Sequence, residues 1–232
     1  MPKTLSNKDN LQILYEDNHI IAVNKRVGDI VQGDKTGDKP LSEVVKEYIK
    51  DNYNKPGNVF LGVVHRLDRP TSGVIIFAKT SKALSRLNEL FKNRDTKKTY
   101  WAVVKNIPPK KSGVLVHYLI RTHKNNTSRA YIKEVNNSKK ASLSYSIIKE
   151  LDRYFVLEID LHTGRHHQIR AQLSAIGCPI KGDLKYGFDR SNKNGGINLH
   201  AKQLIFTHPV KKEPINIIAP LPKDDIIWNA CL

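Results

Sequence analysis

Short strand-like segments constrain the fold of this chain more than any other feature. Runs rich in β-branched and aromatic residues recur along its length, whereas apolar residues at helical spacing occur in only three places. Strands and helices do not alternate regularly, so the sequence predicts an α+β fold with a mixed, largely antiparallel sheet. The predicted strands cover residues 11–15, 19–23, 60–67, 73–79, 99–105, 113–119, 143–149, 154–161, 199–206 and 214–219. The predicted helices cover residues 41–52, 81–93 (with Ser81 as a cap) and 166–176, and residues 28–40 are predicted to form a loop.

The length and composition fit a globular domain. A chain of 232 residues can form one large domain or two closely packed lobes. We expect residues 1–10 to be a tail and residues 11–232 to form one domain. The N-terminus lacks an apolar signal core, so a cytoplasmic location is expected. Two cysteines, Cys178 and Cys231, favour neither a disulfide scaffold nor a thiolate zinc site.

The charge balance points to a polyanionic partner. Lysine and arginine total 39 against 22 aspartates and glutamates, which gives a net charge of +17. Nucleic acid is favoured over an anionic membrane surface, because no predicted helix combines a basic face with a broad apolar one. Residues 121–140 are predicted to form an exposed basic loop or hairpin.

The decapeptide VHRLDRPTSG, residues 64–73, places one carboxylate among basic residues. Asp68 has Arg66 and Arg69 on either side, and positive charge nearby favours an ionised carboxylate. A nucleophile must be deprotonated to attack, so Asp68 is a candidate nucleophile. A salt-bridged turn explains the same residues, and the decapeptide alone favours that explanation.

A second polar segment, HTGRHHQIRAQL, spans residues 162–173. It places polar side chains at a loop-to-helix junction, where backbone N–H groups are available to bind phosphate. A zinc site is not favoured here, because adjacent histidines at a helix start point about 100° apart and no Cys, Asp or Glu completes the set. The candidate binding residues of this segment are Arg165, His167, Gln168 and Arg170.

Two further segments carry aromatic rings or histidines. In KKTYWAVVK, Tyr100 and Trp101 alternate faces of a predicted strand, so one ring is expected in the core and the other in a cleft. A ring among lysines could stack on an extruded base, although the segment alone favours core packing of both rings. His200 and His208, on a later strand, are either RNA contacts or ordinary strand histidines.

Taken in order, these segments resemble the RluA-type RNA pseudouridine synthases. HRLDRPTSGVIIFAKT is similar to the catalytic segment of that family, LHTGRHHQIRAQLSAIGCPIKGDLKYG to its second long signature, and KKTYWAVV to the strand that carries the active-site tyrosine. YEDNHIIAVNK resembles the opening hairpin, and the LHA and HP segments resemble the closing strand. The resemblance covers about residues 14–221. It departs from the family after Lys25, where Arg26-Val27-Gly28 replaces the usual proline, small residue and glycine. The chain resembles compact members of the family that lack an N-terminal RNA-binding domain.

The resemblance implies a function and a set of site residues. The implied reaction isomerises uridine to pseudouridine in structured ribosomal or transfer RNA after base flipping, without a cofactor or metal. Asp68 would act on the ribose, Tyr100 would stack on the uracil, and Arg170 would pair with the catalytic carboxylate. Arg66 is a candidate wedge that fills the gap left by the flipped base. The expected RNA-binding residues are Lys25, Arg26, His65, Arg66, Arg69, Arg121, Arg129, Arg165, His167 and Gln168.

The principal alternative is a non-catalytic protein on the same fold, either an RNA-binding or a ribosome-assembly factor. A binding protein has no need for Asp68, Tyr100 and Arg170 together, which favours the enzyme. We expect a monomer, because no extended apolar surface stripe is evident. The target RNA stays open, since the shared motifs describe the chemistry of the reaction.

Overall fold

The computed structural model describes residues 6–122 and 124–231, so residues 1–5 of the predicted tail lie outside it. The chain divides into two compact units. The first consists of the residues up to Thr96 together with Ala201–Pro222, and the second consists of Lys97–His200 and the residues from Lys223 onward. In the part of the chain that is described, no helix is long and apolar enough to cross a bilayer.

The first unit contains six strands and two helices. Its strands follow the order β1-β2-β4-β10, with β3 paired to β4 and β11 to β10. Strands β2 and β4 pair antiparallel from Ile20 opposite Ala78 to Lys25 opposite Gly73, and every residue of β4 is buried. The elements are β1 (Ile13–Glu16), β2 (Ile20–Lys25), α1 (Leu41–Asn52), β3 (Gly62–Val63), β4 (Ser72–Ala78), α2 (Ser81–Asn93), β10 (Leu199–Thr207) and β11 (Pro214–Ile218).

The second unit contains a five-stranded antiparallel sheet in the order β5-β9-β8-β6-β7. Helix α3 packs against β6 and β7. The buried residues of α3 include the apolar Ile169 and Leu173, as the sequence pattern predicts. The elements are β5 (Thr96–Val104), β6 (Ser112–Thr122), β7 (Thr127–Tyr131), β8 (Lys139–Glu150), β9 (Phe155–Leu161), α3 (Gln168–Ala175), a 3-10 helix (Leu184–Tyr186) and α4 (Ile226–Asn229).

The α+β prediction is confirmed, and several elements match closely. Helix α1 has the predicted bounds, and α2 does too, although its N-cap is Thr80, whose Oγ1 accepts from the Ala83 N–H, and not Ser81. The predicted basic hairpin is present as the β6–β7 hairpin, formed by those two strands and the turn between them. The predicted strand at residues 60–67 is largely wrong, because only Gly62–Val63 pairs with β4.

A buried lysine holds the turn that leads into β4. Lys25, at the end of β2, is only 1% exposed, and its ammonium donates to three backbone carbonyls. These belong to Arg26 (3.0 Å), Arg69 (3.2 Å) and Thr71 (2.7 Å). Three acceptors match the three donors of an ammonium, so the charge is buried with its hydrogen bonds satisfied. This contradicts the prediction that Lys25 contacts RNA, because a phosphate cannot reach it.

The same turn requires glycine at position 73. Gly73 has a φ of +116°, and a Cβ at this position would lie 2.3 Å from the backbone oxygen of Ala201. A side chain would therefore collide with the backbone of β10. Lys25 and Gly73 face each other across the β2–β4 ladder. The end of the turn is therefore fixed both by the hydrogen bonds of the Lys25 amino group and by the close approach of Gly73 to β10.

The burial of Lys25 predicts an unusual pH dependence of stability. Burial lowers its pKa from 10.5 to about 7, while the carboxylates of Asp29 and Asp68 act to raise it. Between these two pKa values the unfolded chain binds more protons than the native protein, so native stability should rise with pH. We therefore expect the free energy of unfolding of the native protein to rise by about 2 kcal/mol more than that of Lys25→Met between pH 7 and pH 9. Urea unfolding at a series of pH values measures this difference. A constant difference between the two proteins across this range would contradict the assignment.

Candidate active site

Asp68 lies on a turn between β3 and β4 in the first unit. The Thr71 N–H donates to the Asp68 backbone oxygen at 3.0 Å, which closes the turn around Arg69 and Pro70. Leu67 is buried and anchors the segment, whereas Asp68 is half-buried and Arg66 is exposed. The turn therefore presents the carboxylate and one arginine at the surface of this unit.

The two arginines beside Asp68 have different surroundings. Arg69 Nη1 donates to Asp38 at 2.6 Å and its Nη2 donates to Thr36 at 2.9 Å, so this guanidinium connects the turn to the loop at residues 28–40. Arg66 is exposed and remains a candidate for contact with a polyanion. An RNA contact by Arg69 stays a prediction, and its ion pair indicates a role in holding the turn.

His65 is fixed within the first unit. Its Nε2 accepts from the Ile76 N–H at 3.1 Å, and its ring stacks on Phe91 with the centroids 4.8 Å apart. Arg26 is exposed, and its Nη2 donates to the Asn10 backbone oxygen at 3.1 Å. The predicted RNA contacts of both residues stay predictions, and Arg26 is the more accessible of the two.

In the second unit, the segment at residues 162–173 folds as a turn followed by α3. Its predicted helix starts two residues later than expected, because His167 has a left-handed φ of +52°.

Gln168, the first residue of α3, is only 3% exposed. Its Oε1 accepts from Thr163 Oγ1 at 2.7 Å and from the Arg165 N–H at 3.0 Å. Its Nε2 donates to the Ser142 carbonyl at 3.0 Å. The prediction that Gln168 contacts RNA is contradicted, since its amide is buried and its hydrogen bonds hold the turn. Arg165 is half-buried and donates to the Lys140 carbonyl at 3.1 Å.

Arg170 forms a bidentate ion pair that the sequence analysis did not predict. Its Nε donates to Asp183 Oδ2 at 2.7 Å and its Nη2 donates to Asp183 Oδ1 at 2.9 Å, with both side chains buried. The guanidinium also lies 5.0 Å from the centre of the Tyr186 ring. The Nε edge of Arg170 is thus held by Asp183, and both supporting residues come from the KGDLKYG segment. That segment belongs to the second long signature of the resemblance, but nothing in its spacing indicates which residue it binds.

The aromatic pair on β5 alternates faces as expected. Tyr100 is 8% exposed and lies opposite Ile159 of β9. Trp101 is half-buried, and its Nε1 donates to Glu158 at 3.2 Å. The predicted contact of Tyr100 with uracil stays a prediction.

The β6–β7 hairpin carries the exposed basic residues. Arg121 Nη2 donates to Asn126 Oδ1 at 3.0 Å, and the Arg129 guanidinium lies 5.3 Å from the centre of the Tyr131 ring. Both arginines are exposed. Their positions on one hairpin give this unit a basic surface suited to phosphate.

The later histidines are buried, His200 within β10 and His208 directly after it. His200 and His208 are both fully buried. His208 Nδ1 accepts from the Val210 and Lys211 N–H groups, and burial lowers the pKa of this histidine. Among the residues that the structure describes, no group of three or more His, Cys, Asp or Glu side chains could hold a metal ion.

Comparisons with known proteins assign the chain to a family. Residues 19–175 match the family model described as RNA pseudouridylate synthase. The ribosomal large subunit pseudouridine synthase D of Xylella fastidiosa is 33% identical, with 92% of this chain and 67% of that protein covered. The tRNA pseudouridine synthase C of Vibrio cholerae is 30% identical, with 96% of this chain and 94% of that protein covered.

A solved structure has the same fold. The human RNA pseudouridylate synthase domain containing 4 superposes with a TM-score of 0.78 at 24% identity, covering 94% of this chain and 92% of that one. The α+β architecture is therefore that of the pseudouridine synthases. With a family model that matches most of its length and relatives of at least 30% identity, this chain belongs to the RNA pseudouridylate synthase family.

Proposed function

We propose that this protein isomerises specific uridines in structured ribosomal or transfer RNA, with Asp68 as the residue that acts on the ribose. The observation that carries this proposal is the placement of Asp68, whose carboxylate lies on a closed turn beside the exposed Arg66. Family membership supports the reaction, and the catalytic role of Asp68 follows from its position in the HRLD segment.

The reaction rearranges bonds without oxidation or hydrolysis. The glycosidic bond between the ribose anomeric carbon and uracil N1 breaks, the uracil turns, and a bond forms between the same ribose carbon and uracil C5. A proton leaves C5 and N1 gains one, so the product is an isomer of the substrate. Asp68 acts either by attacking the anomeric carbon or by removing the 2′ proton, and both routes need its carboxylate ionised.

The other site residues have supporting roles in the proposed mechanism. Tyr100 contacts the uracil and positions it, because an ordinary phenol with a pKa near 10 is a poor base at neutral pH. Arg170 supplies the guanidinium that pairs with the catalytic carboxylate. Arg66 stacks in the gap of the RNA helix and so offsets part of the few kcal/mol that base extrusion costs.

The names of the relatives suggest the class of substrate. One relative is named for the large ribosomal subunit and the other for transfer RNA. We therefore propose structured RNA of one of these two kinds as the substrate. Because both relatives are bacterial and bacteria make and use such RNA in the cytoplasm, we propose that the protein acts there, as a monomer.

The central claim predicts a loss of turnover in Asp68→Asn. This variant keeps the shape of the side chain but cannot act as a nucleophile or base, so it should bind RNA and release no label from RNA tritiated at uracil C5. Asp95→Asn is a matched control, since Asp95 is an exposed aspartate of the same unit. Full label release by Asp68→Asn would contradict the mechanism. RNA binding by the native protein without label release would favour the non-catalytic alternative.

The exposed arginines of the β6–β7 hairpin predict a salt-dependent change in affinity. Replacing Arg121 and Arg129 with glutamine should weaken RNA binding and reduce the slope of log K against log salt by about 1.5, because two phosphate contacts are lost. Lys149→Gln with Arg153→Gln removes the same charge from exposed positions away from this hairpin and should leave the slope near its native value. Equal slopes for the two double variants, measured by filter binding, would contradict a phosphate contact at the hairpin.

A further inference from the structure

Two residues of the second unit, Asp183 and Tyr186, contact Arg170 from the same short segment. Asp183 precedes the 3-10 helix and Tyr186 ends it, so the tight turn of this helix places both side chains beside α3. Asp183 holds the Nε and Nη2 atoms of Arg170, and the Tyr186 ring lies against the guanidinium. Two bonds to a planar group fix its direction as well as its charge.

The hydroxyl of Tyr186 points to a different part of the unit. It accepts from the backbone N–H of Ser128 on β7 at 2.7 Å and lies 2.9 Å from His167 Nδ1. The ring of Tyr186 therefore contacts Arg170. Its hydroxyl contacts Ser128 on β7 and His167, the residue before α3. Its position is fixed further by a cluster of buried apolar contacts with Leu119 and Ala171.

Ser128 extends this connection to the residue before His167. Its Oγ donates to the His166 carbonyl at 2.7 Å, and the same Oγ lies 2.9 Å from His166 Nδ1. A hydroxyl has one proton, so Nδ1 must carry the proton that it shares with Oγ. The rings of His166 and His167 are stacked with their centroids 3.8 Å apart. The β6–β7 hairpin is thus bonded to the start of α3 at several adjacent points.

We propose that Asp183 and Tyr186 are positioning residues with separable effects: Asp183 orients the Arg170 guanidinium for the reaction, and the Tyr186 hydroxyl fixes the β6–β7 hairpin and His167 for RNA binding. This inference rests on the proposed function, in which Arg170 supports the chemistry and the hairpin binds RNA. It adds two residues that act through others: Asp183 acts through Arg170, and Tyr186 acts through the hairpin and His167.

The two effects depend on different atoms of the segment. Asp183→Asn removes the charge and one acceptor oxygen, so a buried guanidinium loses the partner that fixes its direction, and small misplacements at a reacting centre can cost about 100-fold in rate. Tyr186→Phe retains the ring beside Arg170 but leaves the Ser128 N–H without its acceptor. The hairpin is then less ordered, and RNA binding must supply the ordering free energy.

The test compares single-turnover rate and RNA affinity in the full-length variants. Asp183→Asn should lower the rate at saturating RNA about 100-fold and change Kd less than threefold. Tyr186→Phe should raise Kd about fivefold and lower the saturating rate much less than Asp183→Asn does. Tyr145→Phe is the matched control, because it also removes a hydroxyl that is hydrogen-bonded to the backbone, here to the Lys110 carbonyl, in a buried position of the same unit. It should leave both quantities near native.

A double-variant cycle tests whether Asp183 acts through Arg170. If it does, adding Asp183→Asn to Arg170→Ala should lower the rate no further. Independent losses in rate from the two changes, or parallel changes of rate and Kd in both Asp183→Asn and Tyr186→Phe, would overturn the proposal.

A second measurement does not depend on activity. The Nε–H resonance of Arg170 should be protected from solvent exchange in the native protein and in Tyr186→Phe, and should lose that protection in Asp183→Asn. A protected resonance in Asp183→Asn would overturn the orienting role. If the native protein released no label from its RNA, the proposed function would fail, whereas this resonance would still report on the ion pair.

Discussion

The buried ammonium of Lys25 is the interaction on which the candidate catalytic turn depends. A polar group away from water must keep its hydrogen bonds, so the carbonyls of Arg26, Arg69 and Thr71 have little freedom to move. Two of these residues lie within three positions of Asp68 along the chain. The position of the carboxylate is thus set by backbone groups gathered around one cation, and by the close approach of the chain at Gly73.

The buried cationic groups of Lys25 and Arg170 are satisfied in different ways that suit their shapes. An ammonium is a compact charge with three donors, and Lys25 meets three separate carbonyls. A guanidinium is planar, and Arg170 meets the two oxygens of Asp183 along one edge. Lys25 therefore constrains the path of the backbone, whereas Asp183 constrains the direction of one side chain. Arginine at position 25 would bring more donors than the three carbonyls accept, and lysine at position 170 could not reproduce the bidentate pair with Asp183.

Local patterns in the sequence predicted the regular elements well and the environment of polar side chains poorly. Helix α1 follows from apolar spacing alone. Lys25 and Gln168, however, have the same character in the sequence as exposed RNA contacts, and only tertiary pairing buries them. Within residues 60–67 only Gly62–Val63 pairs with β4. An apolar run in the sequence does not show where such backbone pairing stops. Asp183 is separated from Arg170 by thirteen positions, and no helical or strand period relates the two.

The distribution of arginine environments bears on how affinity and turnover can vary. Arg69 and Arg170 are each paired with an aspartate, so they add little net charge to the surface. Arg66, Arg121 and Arg129 are exposed. Exposed positive charge of this kind is what attracts a polyanion. Under the proposed function, substitutions on the surface change RNA affinity while the buried pairs preserve the geometry needed for the reaction. Relatives are named for ribosomal and for transfer RNA, and in the proposed mechanism the buried ion pairs of this chain provide a physical basis for one chemistry on different RNAs.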